Sequence, residues 1–178
     1  MRNTYKDVKT MNNDFTEDVK LARKGDSEAF SRLYSIVYKD LYRIALYSLR
    51  NSHDACDVVS DTVLDAFCSI GSLRDEAAFR LWIMRILSAK IKRKQRDYFT
   101  DIVELTEETE PAVEFNCEKT ELKHAMDALE PRSRLILSMS VLEGYTSGEI
   151  ADICGIKANT VRSVLMRTKK KLRMLIED

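Results

Sequence analysis

Proline and glycine are scarce, with two prolines and five glycines among 178 residues. So few turn-formers leave little material for hairpins or for Gly-rich phosphate loops. No run of alternating β-branched residues reads as a strand. The four cysteines, Cys56, Cys68, Cys117 and Cys154, form no C-x-x-C pair, and His53 and His124 supply no ligand at short spacing. The expectation is buried free thiols in a reducing compartment, with no metal and no other cofactor. No span is apolar enough to cross a bilayer, and the first dozen residues lack the apolar core of a secretory signal. Net charge is missing too, with 29 Lys and Arg against 29 Asp and Glu. A zero average argues weakly against a nucleic-acid partner, but it hides a segregation along the chain.

What is present reads as helix. After a polar tail over residues 1–13, apolar positions fall at steps of three and four: Val19, Leu21, Ala22, then Ala29, Phe30, Leu33, Tyr34, Val37 and Leu41. Gly25-Asp26 breaks the run, and Asp26 or Ser27 is placed to cap the next helix. A third helix is predicted from Asp54 to Ile70, with Ala55, Val58, Val59, Thr62, Val63, Ala66, Phe67 and Ile70 as its apolar stripe. A fourth starts near Asp75 or Glu76 and carries Phe79, Trp82, Ile83, Ile86 and Leu87 on one face. Periodicity fades after Asp97, where seven acidic residues lie between Asp101 and Glu118 beside Pro111. That stretch reads as an acidic linker. Helical spacing returns from Glu121 to Leu129, and Pro131 suits the first turn of another helix. The fold class expected is all-α: two small helical domains, 14–98 and 121–178, joined by an acidic linker over 99–120.

The last third carries the most specific pattern, "SGEIADICGIKANTVRSVLM" from Ser147 to Met166. A helix-turn-helix needs a small residue where its helices cross, and Ala151 is there. It needs a residue tolerant of a left-handed turn, and Gly155 follows four residues later. Ile150, Ile153, Cys154, Ile156, Val161 and Val164 occupy the apolar places that lock the two helices. From Lys157 to Arg173 there are seven basic residues and no acidic one. A recognition helix reads base edges from its first turns, while basic residues along it neutralise phosphate. Asn159, Arg162 and Ser163 are the candidates for base contact; Arg167, Lys169, Lys170 and Lys171 are those for phosphate, with Lys157, Thr160 and Met166 beside them. The bland alternative is a solvated C-terminal helix face favoured by the helix dipole.

Two further charge patterns stand upstream. Asp57, Asp61 and Asp65 fall at steps of four, where like charges repel. A basic protein partner would explain them; so would an ordinary solvated face. Arg85, Lys90, Lys92, Arg93, Lys94 and Arg96 make the mirror case. Phe79 and Trp82 beside them could stack on unpaired bases, but they share the apolar stripe, which favours core packing.

The order of blocks "GDSEAFSRLY", "DACDVVSDTVLDAF", "FRLWIMRIL" and "LEPRSRLILSMSVLEGYTSGEIADICGIKANTVRSVLMRTKKKLR" resembles the ECF-type RNA polymerase sigma factors, over about Asp14 to Ile176. That resemblance implies a front domain that docks on the clamp coiled coil of the polymerase largest subunit through Asp57, Ser60, Asp61, Leu64 and Asp65. It implies that Gly71, Ser72, Arg74, Arg80, Arg85 and Lys92 meet the melted −10 strand, and that the helix-turn-helix reads −35 duplex. It implies a cytoplasmic protein commonly held by an anti-sigma partner, often at the membrane. Members of the family commonly have Gln where Ser60 stands, Asn where Ala89 stands and Asp where Arg93 stands. The last two departures suggest a variant −10 sequence. The competing reading is a helix-turn-helix regulator that never docks on polymerase. An enzyme is not expected, because no phosphate loop, carboxylate cluster or Cys-His pair is present.

Overall fold

The computed structural model describes residues 15–104 and 126–177, and their side chains except those of 99–104, 176 and 177. The described residues form seven α-helices with two short 3₁₀ turns, and no strand. Helix α1 (Phe15–Arg23) buries Phe15, Val19 and Ala22. Asp26 then caps α2 (Ser27–Leu49) by accepting from the Ala29 amide at 2.9 Å, as expected of an N-cap aspartate. Arg50 ends α2 in the left-handed region at φ 63°, a conformation that usually falls to glycine or asparagine. Asn51 caps α3 (Ser52–Ser69), which starts two residues before the predicted Asp54.

The 3₁₀ turns Ile70–Ser72 and Glu76–Ala78 lead into α4 (Phe79–Glu104). This helix runs past residue 98, where the sequence pattern suggested the linker begins. The acidic residues Asp97, Asp101 and Glu104 removed the apolar spacing there without breaking the backbone, since neither proline nor glycine intervenes. The helix predicted from Glu121 to Leu129 lies largely outside the described residues.

Pro131 opens α5 (Pro131–Leu142), as its missing N–H and fixed φ favour. Gly144 turns the chain at φ +67°. Thr146 and Glu149 then form a reciprocal capping box at the start of α6 (Ser147–Cys154). Gly155 ends α6 in the left-handed region at φ 66°, and α7 (Ala158–Glu177) follows. This is the predicted helix-turn-helix, with Ala151 buried at the crossing.

The two halves pack on one another: α2 lies against α5, and α4 against α6. One buried cluster runs from Phe15 to Val164, through Leu33, Ile44, Leu87, Ile91, Leu135, Met139 and Ile150. Phe79 belongs to it, and Trp82 packs on Phe79 with ring centroids 6.1 Å apart, so these aromatics serve the core. Polar groups stitch the seam. Gln95 Nε2 donates to the carbonyls of Ser48 and Pro131, both at 3.3 Å. Buried Arg134 donates to Leu129 O at 2.5 Å and to Ser48 O at 3.3 Å. Ser48 lies in the last turn of α2, where carbonyls lack helical partners. Burial holds the Arg134 guanidinium below its ordinary pKa.

Two expectations about side chains are corrected. Cys56 and Cys68 are exposed, whereas Cys154 is buried. At about 100° per residue, both exposed cysteines point well away from the stripe through Ala55, Val59, Thr62 and Ala66. Phe67, placed in that stripe, is 48% exposed and only edges against Phe30, with centroids 5.1 Å apart.

Candidate nucleic-acid interface

The outer face of α7 is open. Lys157, Asn159, Arg162, Ser163, Met166, Arg167 and Lys170 are exposed, and Thr160 is half-buried. The inner face holds buried Val161, Val164 and Thr168, which press the helix onto its own domain. Partners of the outer side chains are local. Arg162 Nη1 donates to Asn159 Oδ1 at 2.7 Å, Ser163 Oγ to Asn159 O at 2.9 Å, and Arg167 Nε to Ser163 O at 3.3 Å. Arg162 and Asn159 therefore stand together in the first turns, both presenting hydrogen-bonding groups outward. A pair of this kind can bond base edges, with Arg suited to guanine and Asn to adenine. Lys171, also a phosphate candidate, instead donates to Ala128 O at 2.6 Å.

The −10 candidates divide. Gly71 and Ser72 lie exposed in the first 3₁₀ turn, and Arg74 and Arg85 are exposed as well. Arg80 and Lys92 are occupied within the chain. Arg80 Nη1 lies 3.2 Å from Asp40 Oδ2, and its guanidinium sits 5.1 Å above the Phe15 ring. Lys92 Nζ donates to the carbonyl of Cys154 at 2.6 Å, across the seam between the halves. Ala89 and Arg93 are exposed.

The acidic array on α3 is exposed at Asp57, Ser60, Asp61, Leu64 and Asp65, with Leu64 63% open. It is not purely repulsive. Lys90 of α4 lies 2.7 Å from Asp65 and 3.9 Å from Asp61. Lys94 lies 2.8 Å from Asp54, which also accepts a hydrogen bond from Tyr98. Burial pushes the Asp54 carboxyl up, but the bonds from Lys94 and Tyr98 outweigh it and hold it below the usual range. The Asp54 bond raises Lys94 in turn, and burial with that same carboxylate raises Tyr98. Lys90 and Lys94, two cations of the basic run on α4, thus neutralise carboxylates of α3. That pairing has no signature in the sequence, because the partners sit on different helices.

Comparison with known proteins follows this division. The chain matches the family models described as Sigma-70 region 2, over residues 33–98, and Sigma-70 region 4, over residues 119–172. It is 30% identical to the RNA polymerase sigma factor SigV of Bacillus subtilis over 139 residues, covering 76% of this chain and 84% of that protein. It is 28% identical to the ECF RNA polymerase sigma factor SigM of Mycobacterium tuberculosis, covering 85% of this chain and 79% of that protein. Among solved structures it resembles the sigma factor RpoE of Bartonella quintana, in complex with the anti-sigma factor NepR. The TM-score is 0.71 at 21% identity, over 83% of this chain and 96% of that one. It also resembles CnrH, solved with the cytosolic domain of CnrY, at a TM-score of 0.69 and 21% identity, over 92% of this chain and 97% of that one.

Proposed function

Because the chain belongs to the ECF RNA polymerase sigma factors and directs promoter-specific transcription initiation, we propose how its surfaces divide that work. The outer face of α7 reads −35 duplex: Asn159, Arg162 and Ser163 meet base edges, with Lys157, Thr160 and Met166 beside them, and Arg167 and Lys170 neutralise phosphate. The observation that carries this reading is the open face with an Arg162–Asn159 pair in its first turns, directly after the left-handed Gly155 turn. The face of Asp57, Ser60, Asp61, Leu64 and Asp65 docks on a basic coiled coil of the polymerase largest subunit. An exposed leucine among carboxylates suits a partner with an apolar ridge flanked by cations. Gly71, Ser72, Arg74 and Arg85 meet the melted −10 strand from the start, and Arg80 and Lys92 join them once freed from their present partners.

On this reading the N-terminal domain over 14–98 and the C-terminal domain over 121–178 are two weak sites, coupled by the chain between them through effective concentration. The polymerase supplies the metal and the chemistry, so the protein is a binding factor and not an enzyme. It works in the cytoplasm, where polymerase and chromosome are. An anti-sigma protein is a further partner, as NepR is in the solved complex with RpoE.

The test is run-off transcription with purified core polymerase and a fragment library from the source genome, together with Asp61→Lys. Initiation dependent on the protein is expected, and reversing the charge should weaken its binding to core polymerase by about tenfold or more. A protein that binds duplex DNA but gives no initiation, with core binding unaffected by Asp61→Lys, would refute the docking role and leave a simple DNA-binding regulator.

A further inference from the structure

A cavity of about 550 Å³ lies at the seam, between α4 on one side and α5, α6 and the turn after α6 on the other. Its size is that of a small-molecule pocket, and such pockets favour the junctions between domains. Its lining is almost wholly apolar. Buried Leu135 and Ile136 of α5 make the inner wall, and half-buried Pro131 and Ile156 continue it. Gln95, the one amide in the lining, spends its Nε2 on the carbonyls of Ser48 and Pro131. None of the lining residues is aromatic. A flat ring system finds nothing there to stack on, and a nucleotide base finds no set of polar groups to match its edges. Walls of this kind suit a flexible aliphatic body.

The charges around the cavity are unequal. Lys92 and Arg96 come from α4 and Arg132 from α5, against the single carboxylate of Glu130. Arg96, Glu130 and Arg132 are exposed, which puts them on the solvent side. Lys92 donates to a neutral carbonyl, that of Cys154, which leaves its charge uncompensated. Neither Lys92 nor Arg132 enters an ion pair among the described residues. Cations set over aliphatic walls complement an aliphatic anion. Its chain leaves water for the apolar wall, and its head group meets the cations.

We propose that this cavity binds a free aliphatic anion of the fatty-carboxylate class, and that the bound molecule holds the two halves together. The cavity draws Lys92, Gln95 and Arg96 from the N-terminal half and its apolar wall from the C-terminal half. It exists only while the halves are packed, so its ligand binds the packed arrangement and not the separated one. A ligand that binds one state alone stabilises that state by mass action. The head group also lies against Lys92, one of the −10 candidates. The consequence, that occupancy restrains promoter engagement, rests on the sigma-factor reading; the binding itself does not.

The experiment uses the full chain and decanoate, kept below the concentration at which it forms micelles. Neither polymerase nor promoter is present, so failure here is separable from failure of the sigma-factor reading. Isothermal titration calorimetry should show saturable binding at one site, and the thermal midpoint should rise with decanoate concentration. Decyltrimethylammonium, with the same chain and the opposite charge, should bind about tenfold more weakly. Arg132→Glu, a change at an exposed position, should weaken decanoate binding about fivefold while leaving the midpoint of the free protein in place. The location is read at Cys154, which is buried against Ser88 of α4 and lines the cavity. With Cys56, Cys68 and Cys117 replaced by serine, decanoate should slow alkylation of Cys154 by iodoacetamide. Binding that never saturates, equal affinity for the two head groups, unchanged affinity in Arg132→Glu, or alkylation indifferent to decanoate would each overturn the proposal. So would a midpoint that rises with phosphatidylglycerol vesicles and not with decanoate, because the ligand would then be a lipid surface.

Discussion

Helices α4 and α7 both carry dense basic runs, but they deploy them differently. On α7 the bonds of Arg162 and Arg167 stay within the helix, and the side chains remain exposed. On α4, Lys90 and Lys94 neutralise carboxylates of α3, and Lys92 bridges the two halves. Arg85 and Arg93 of the α4 run, both exposed, show no such cross-helix bond among the described residues. The lesson is that a run of cations is a binding face only where the fold leaves its charges unclaimed. An ion pair inside the molecule lowers the field available to a nucleic acid as surely as removing the cation would.

The comparison can be broken by substituting on each helix. The largest effect is expected from Arg162→Ala. Loss of a base contact should weaken binding to a −35 duplex by about 1–3 kcal/mol and relax specificity at one base pair. Thermal stability should barely change, and a titration against matched and mismatched duplexes checks both points. Lys94→Ala should do the reverse, leaving duplex binding intact while lowering stability by about 0.5–1 kcal/mol, the range of partly exposed ion pairs. The sign of its pH dependence follows from Asp54, whose carboxyl is depressed in the folded state. Its stabilisation is present above the unfolded carboxylate pKa and lost as pH falls through the lower folded value. Urea melts at pH 7 and pH 3 should therefore differ less for Lys94→Ala than for wild type. The smallest effect belongs to Lys170→Ala, which should weaken every duplex alike and reduce the slope of log binding against log salt by about one.

Much of the fold was legible because it rests on local rules. Asp26 caps α2, Pro131 opens α5, and Gly155 takes the left-handed turn inside the helix-turn-helix. Each depends on a few adjacent residues. The end of α4 was misjudged because apolar spacing marks burial and not helicity, and a helix can continue once its face leaves the core. The cysteines of α3 were misplaced because an apolar neighbourhood in sequence spans every direction around a helix.

By itself the sequence determined the helices, their caps, the helix-turn-helix and the kinship with sigma factors, since all of these are written in short-range spacing. The tertiary structure alone decided which charges are spent and which remain. Lys90 meets Asp65, Lys92 meets the Cys154 carbonyl, and Glu143 meets Arg43 only because distant segments pack together. Electrostatic interaction depends on distance through space and on burial, and neither is encoded by position along the chain.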